Sequence, residues 1–373
     1  MKQHFIHIFL LITLCVGIHT RPAAAQEVVW DIDFDFRFDN REYGDPSKMI
    51  VPSSTIFGAN ILPEVGVSWG YGHSLMMGAN LHADMGSEKF FGTPEFIAYY
   101  DFSEPSSRLK ASLGLFPRSK LSGRYPRATF DEIYAFYHPT IEGALLRYTG
   151  SFWFSELACD WNGLRSATRR EMFTLLVAGE AHKSLSYAGY NLMLHHHAAS
   201  DTARGVVDNG LLNLYIGFDF SSLFNNTTLS FQASWLQSYQ NDRYHIGTPV
   251  MPGGYELSLH LQREDLGVKN TFYKGKDLMP YWNLPYENAE GGIYGSSLYS
   301  GDPFYRVGEK GFYNRLELFW QPTIKDGVTL RFGSVHHYDG AHWGWQQVIS
   351  LKVDIGSGMF SNRQYNNKQT IWL

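Results

Sequence analysis

The sequence predicts an all-β fold: a transmembrane, antiparallel up-and-down β-barrel of about sixteen strands, within a range of roughly fourteen to eighteen. Three observations predict it. The chain opens with an export signal, its composition is rich in aromatic residues and glycine, and its strands alternate strictly between apolar and polar side chains.

Lys2 gives a short charged start, and an apolar run follows from Phe5 to Ile18. Arg21-Pro22-Ala23-Ala24-Ala25-Gln26 then offers an A-x-A cleavage pattern, with the cut expected after Ala25. Residues 1–25 therefore read as a signal peptide, too short in its apolar part for a spanning helix. Cys15 follows Leu14, not the small residue that a lipoprotein signal needs. Once residues 1–25 are removed, Cys159 stands alone, so no intrachain disulfide can form. Charged residues make up 18% of the chain, and the net charge of −5 argues against a nucleic-acid partner. Aromatic residues at 16% suit either a soluble β-sandwich or a barrel with aromatic girdles at both membrane interfaces.

Periodicity separates these two. From Trp30 to Asp39 every even position is large and apolar, and every odd position is charged. Neighbouring side chains on a strand point to opposite faces, so Asp31, Asp33, Asp35, Arg37 and Asp39 share one face. Such a charge density suits a wet lumen, with Trp30, Phe34 and Phe38 turned to lipid. The same alternation recurs at Tyr255–Gln262, Ile349–Ile355 and Leu212–Phe220. In chain order the pattern predicts strands at 28–39, 55–70, 74–85, 93–103, 108–117, 143–149, 152–162 and 170–183. It continues with 185–198, 208–222, 227–239, 254–264, 266–275, 311–322, 327–338 and 344–356. Tight turns such as Gly150-Ser151 and Glu264-Asp265 alternate with longer links at 40–54, 118–142, 240–253 and 276–310. Short turns on one side and long loops on the other is the layout of a barrel with both termini in the periplasm. A single barrel domain is expected over 26–360, with Phe360 as a candidate closing residue. Residues 361–373 follow as a short periplasmic tail or the end of the last strand.

At this point the chain resembles porins of the Gram-negative outer membrane, through its signal peptide, strand count and one long loop after the fifth strand. In that family the third external loop folds into the lumen, and here it would be Pro117 to Glu142. The preceding Leu113-Gly114-Leu115-Phe116-Pro117 is similar to a segment of phosphate-selective porin O/P-like proteins. The resemblance implies a bacterial outer-membrane location, with membrane lipid and lipopolysaccharide around the barrel and small polar solutes within it. A homo-oligomer or an envelope protein partner is compatible with it. The chain departs from the family at its end, where thirteen residues follow Phe360.

Arg118, Lys120, Arg124 and Arg127 place four cations within ten residues of that loop, and Asp131 and Glu132 follow. Facing a confined lumen, they would raise the local anion concentration. On a solvated external loop the same residues would bond lipopolysaccharide phosphates. In His195-His196-His197 only the first and third can share a face, too few ligands for an ordinary zinc shell, and neither metal nor cofactor is expected. His336-His337-Tyr338-Asp339-Gly340 could carry a rim-site base, or could be an ordinary turn built on Asp-Gly. Tyr281, Trp282, Tyr286, Tyr294, Tyr299, Phe304 and Tyr305 could form sugar-binding platforms, or pack their own loop. Three functions follow in order: a channel for passive diffusion of small polar or anionic solutes, a non-channel barrel serving an envelope complex, and a hydrolase with His337 and Asp339 at its rim.

Overall fold

The computed structural model describes residues 26–357, apart from 44–49, 105, 107, 203 and 287–291. The expected signal peptide, Phe360 and the tail lie outside the described residues. The strands are β1 (Glu27–Tyr43), β2 (Ser54–Trp69), β3 (His73–Asp84), β4 (Glu95–Ser103), β5 (Leu109–Pro117) and β6 (Thr140–Thr149). Next come β7 (Trp153–Gly163), β8 (Met172–Lys183), β9 (Ser186–His197), β10 (Val207–Asp219), β11 (Thr227–Asp242), β12 (Gly253–Arg263) and β13 (Leu266–Gly275). A small hairpin, β14 (Pro285–Tyr286) and β15 (Gly292–Ile293), sits in the following loop. The chain ends with β16 (Phe312–Trp320), β17 (Thr323–Lys325), β18 (Val328–Tyr338) and β19 (Trp343–Gly356).

Each wall strand pairs antiparallel with the next wall strand in sequence, β13 with β16 across the loop hairpin, and β1 pairs with both β2 and β19, which closes the sheet. Leaving out the short β17 and the hairpin, sixteen strands form the barrel wall. Closure removes both sheet edges, so every interior strand finds its hydrogen bonds within the wall. The register keeps the alternation in phase around the ring. Asp33 stands opposite Leu62, Met76 opposite Tyr99, and Glu156 opposite Arg147, all facing inward. Val65, Leu113, Leu157, Leu214 and Leu257 face outward and are exposed, as a lipid-facing band requires. Short turns need unusual backbone, and Gly327 takes φ +77 in the turn before β18. A Cβ there would come within 2.3 Å of the Asp354 carbonyl.

The strands run longer on the long-loop side than the pattern predicts. β1 extends to Tyr43, β6 begins at Thr140 and β11 reaches Asp242, because inward polar residues there find partners on the inserted loops. β10 instead stops at Asp219, and Ser221–Leu223 forms a 3-10 turn.

Candidate functional site

Two loops from the same rim fold inward and pack against the inner face of the wall. The first, between β5 and β6, carries a 3-10 turn at Arg118–Lys120 and a short helix at Glu132–Tyr137. The second lies between β13 and β16. They meet at the centre: the Asp131 amide donates to the Ser300 carbonyl at 2.7 Å, and the Asp302 amide donates to the Arg127 carbonyl at 2.8 Å. Arg127 Nη2 lies 2.9 Å from Asp302 and 3.3 Å from Asp131, and Nη1 bonds Glu132. The wall grips this knot. Arg37 reaches Glu132 at 2.5 Å, Arg315 reaches it at 3.6 Å, and Arg41 stands 4.0 Å from Asp131.

Each cation of the first loop faces a carboxylate. Arg118 pairs with Asp160 at 2.8 Å, Lys120 with Asp101 at 3.1 Å, and Arg124 with Glu180 at 2.5 Å. Arg118 also donates to the carbonyls of His138 and Thr140 and stands over the Phe130 ring at 5.1 Å. These side chains tie the loop to the wall. On β1 the inward face carries Asp31, Asp33, Asp35, Arg37 and Asp39. Asp39 accepts from Arg37, and Asp35 pairs with Lys352 at 3.4 Å. Asp31 and Asp33 come together with Asp354, their oxygens within 4.8 Å of one another.

Burial shapes the charge of the central knot. Burial and the neighbouring Asp302 push the Asp131 carboxyl up to about 6. Burial works the same way on Glu132, but Arg127, Arg37 and Arg315 outweigh it and hold that group well below the usual carboxylate range. Against its own burial, Asp302 is likewise held low, chiefly by Arg127 and Arg41.

The aromatic residues of the second loop pack inward. Tyr281, Tyr294, Tyr299, Phe304 and Tyr305 are buried, and the four tyrosine hydroxyls donate to the barrel wall. Tyr299 donates to Gln240, Tyr294 to Asp242, and Tyr305 to Glu256. Trp282 stacks on Tyr299 and carries Arg306 over its ring. His195 and His197 face inward with their Nε2 atoms 2.6 Å apart, and Thr174 bonds the Nδ1 of His195. His337 does not meet Asp339. It lies buried in the lumen between Tyr313 and Gln346, stacked on Phe304 at 4.2 Å. Asp339 instead accepts from the amides of Ala341 and His342 and shapes the rim turn.

The opposite face of the same strand carries a different arrangement. Ser334 and His336 point outward from β18, on the lipid side of the wall. Ser334 Oγ lies 3.2 Å from His336 Nε2 and accepts from Trp345 Nε1 at 3.0 Å. In the Nδ1–H tautomer, His336 Nε2 accepts the Ser334 proton while Trp345 Nε1 donates to the same oxygen, the geometry of a hydroxyl nucleophile beside its base. Ser334 opens on a concave stretch of outer wall, about 940 Å³, lined chiefly by Leu261, Leu266, Leu318, Trp320, Phe332 and Ile349. That size falls in the ordinary range for ligand sites.

The register explains the hollow. The inward row at this level is Gly267–Phe319–Gly333–Val348, and two of the four have no side chain. The Phe319 ring occupies the space a Cβ on Gly267 would take, 2.1 Å from that position. The outward row Val268–Leu318–Ser334–Gln347 places a small serine among larger neighbours. Gln347 continues into a polar chain toward the long-loop rim. Asn40 donates to Gln347 at 2.7 Å and to Glu42 at 2.9 Å, and Thr55 donates to Asn40 at 2.8 Å. This chain leads polar groups down to the edge of an apolar groove. The spacing Ser334-x-His336, two residues on one face of a strand, was the available signal.

A closed sixteen-strand wall with an apolar exterior and a long loop folded inward after its fifth strand defines a porin-like β-barrel fold. Residues 20–339 match the profile of the family described as Lipid A 3'-O-deacylase-type, and the chain belongs to that family. A search of curated proteins finds no match. Among solved structures, the fold is similar to OccAB1 of Acinetobacter baumannii, with a TM-score of 0.51 and 10% identity over 88% of this chain and 96% of that one. It is also similar to OccK2 (OpdF) of Pseudomonas aeruginosa, with a TM-score of 0.51 and 8% identity over 88% and 98%. A loop L8 deletion mutant of OmpT, an outer membrane protein of Vibrio cholerae, gives 0.53 and 7% over 89% and 100%. At these identities the likeness is one of fold.

Proposed function

We propose that the protein removes an ester-linked acyl chain from a glycolipid of the lipid A class, at Ser334 on the outer wall of the barrel. The observation that carries this is the Ser334–His336 pair opening on an apolar groove, in a chain of the Lipid A 3'-O-deacylase-type family. The acyl tail lies in the groove against Leu318, Trp320 and Phe332. Ser334 Oγ attacks the ester carbonyl while His336 Nε2 takes its proton. The C–O bond to the sugar breaks, and His336 returns the proton to the departing hydroxyl oxygen. Water reaching the acyl-serine along Asn40 and Gln347 is deprotonated by the same imidazole and releases the fatty acid. Trp345 Nε1 orients Ser334 throughout. Purified protein in detergent, incubated with lipid A, should yield a product lighter by one acyl chain in mass spectrometry. S334A should yield none; unchanged lipid A with folded wild-type protein would overturn the proposal.

A second reading is a channel for small polar solutes, favoured by the polar and charged inner face of the wall. Under it, passage depends on displacement of the two loops. Because Arg118, Lys120, Arg124 and Arg127 all face carboxylates, a preference for anions would be weak. Planar-bilayer recordings test this: steps of open conductance support it, and an electrically silent barrel contradicts it.

A further inference from the structure

The inward face of β9 meets the second inserted loop at His195 and His197. Residues two apart on a strand share a face, so both rings point into the barrel while His196 points out and bonds Asp208 at 2.6 Å. The Nε2 atoms of His195 and His197 lie 2.6 Å apart. Spacing in the sequence offers only these two ligands; the fold adds a third. The backbone carbonyl of Ser297, in the one-turn helix Gly295–Leu298 of the second loop, faces both rings. Asn209 holds that helix in place, its Nδ2 donating to the Leu298 carbonyl at 2.8 Å. Ser297 is exposed, which gives a small ion a path from the long-loop rim.

Hydrogen bonding fixes the state of His195. The Thr174 hydroxyl donates to Asn162 Oδ1 at 2.7 Å, so it accepts from His195 Nδ1, 2.6 Å away. His195 therefore carries its proton on Nδ1 and presents a lone pair at Nε2. A metal-ligating histidine is oriented in this way, its second nitrogen donating to a fixed oxygen. Two electron-pair donors, His195 Nε2 and the Ser297 carbonyl, thus converge on His197 Nε2. One N–H on His197 has to be shared between them, whereas an ion held by both rings and the carbonyl uses all three. Two nitrogens at about 2.0–2.1 Å from one tetrahedral ion stand about 3.3 Å apart, so the rings need to part by only about 0.7 Å. The flanking charges oppose each other, Asp160 on the His195 side and Arg170 on the His197 side.

We propose that His195, His197 and the Ser297 carbonyl bind one borderline divalent metal ion of the zinc class, which clips the second inserted loop to β9. Imidazole nitrogen suits such ions, whereas calcium and magnesium take oxygen shells. A water completes the fourfold shell. The site is separate from the groove at Ser334 and stands whether or not Ser334 is a nucleophile.

The test uses untagged, full-length protein in detergent, freed of metal with a chelator and then given zinc alone, with bound metal measured after dialysis. Wild-type protein should retain a single zinc per chain in the presence of excess calcium. X-ray absorption at the zinc edge should show two imidazole rings, with oxygen completing the shell. H195Q/H197Q should lose the ion, and H245Q/H342Q in the rim turns should keep it. T174V removes the acceptor from His195 Nδ1 with little change of shape and should weaken retention at least about tenfold. Zinc should also slow hydrogen exchange across Gly295–Ser300 in wild-type protein. Heat-modifiable migration on gels reports whether each variant is folded. No zinc on folded wild-type protein, displacement by calcium, or a zinc shell without two imidazoles would overturn the proposal. So would a folded H195Q/H197Q variant that keeps the ion, undiminished retention by T174V, or zinc retained with no slowing of exchange at Gly295–Ser300.

Discussion

The two faces of β18 invite comparison. Inward, Arg331 bonds Glu317, and His337 sits between Tyr313 and Gln346. Arg331 ties two wall strands together, and His337 joins the wall to the second inserted loop by stacking on Phe304. Outward, Ser334 and His336 face lipid, where a polar side chain has no packing role to fulfil and costs free energy to keep. Burial with a matched partner is how a barrel stabilises its interior; polarity on the lipid face needs another reason. That difference separates the charge clusters that hold the structure from the pair assigned to chemistry.

Breaking the interior should have the largest effect. Arg127→Ala leaves Asp302, Asp131 and Glu132 without their shared cation, and the loss of one partner in such a buried network costs roughly 3–5 kcal/mol. The loops should come free, lowering the unfolding midpoint and raising conductance in planar bilayers. Unchanged values for both would show that the ion pairs do not hold the plug. Outside, Leu261→Trp, on β12 and so not a neighbour of Ser334 on β18, should fill the groove. Lipid A turnover should then fall about tenfold through weaker binding, equivalent to about 1.4 kcal/mol. A rise in KM at constant kcat would place the effect in the groove. Trp345→Phe keeps the aromatic ring at the interface but removes the donor to Ser334. A lost hydrogen bond of about 1 kcal/mol should lower kcat several-fold with the fold intact.

The smallest effect concerns pH and distinguishes the members of the central knot. Asp131 is raised to about 6, so its contribution favours the closed form when protonated and is lost as pH rises through about 6. Glu132 and Asp302 are held low, so their contributions are complete above the ordinary carboxylate range and are lost as pH falls through that range toward their lowered values in the folded protein. Thermal stability should therefore rise slightly from pH 7 to pH 5 and fall steeply in stronger acid. Asp131→Asn should remove the rise and leave the fall.

Much of the fold was legible because it rests on a period of two. Parity along Trp30–Asp39 separates the faces of β1, and turn lengths separate the two rims. The inserted first loop was legible only through family resemblance. The inward packing of Tyr299, Phe304 and Tyr305 was not, since composition alone suits a sugar platform as well as a packed loop. The groove was still less accessible. It depends on Gly267, Phe319, Gly333 and Val348 falling in one row across four strands, and that register is set by turns far apart in sequence. Parity alone places Ser334 and His336 on one face of β18, but not that this face opens on a groove, which depends on the register of its neighbours.

The central claim is that Ser334 is an activated hydroxyl on the lipid face. A long-chain alkyl fluorophosphonate tests it most directly: the serine oxygen bonds to phosphorus, fluoride leaves, and the adduct is read by intact-protein mass and peptide mapping. One adduct is expected, on Ser334, absent from S334A and strongly slowed in H336N, with both variants folded. No adduct on wild-type protein, or labelling that persists unchanged in S334A, would contradict it.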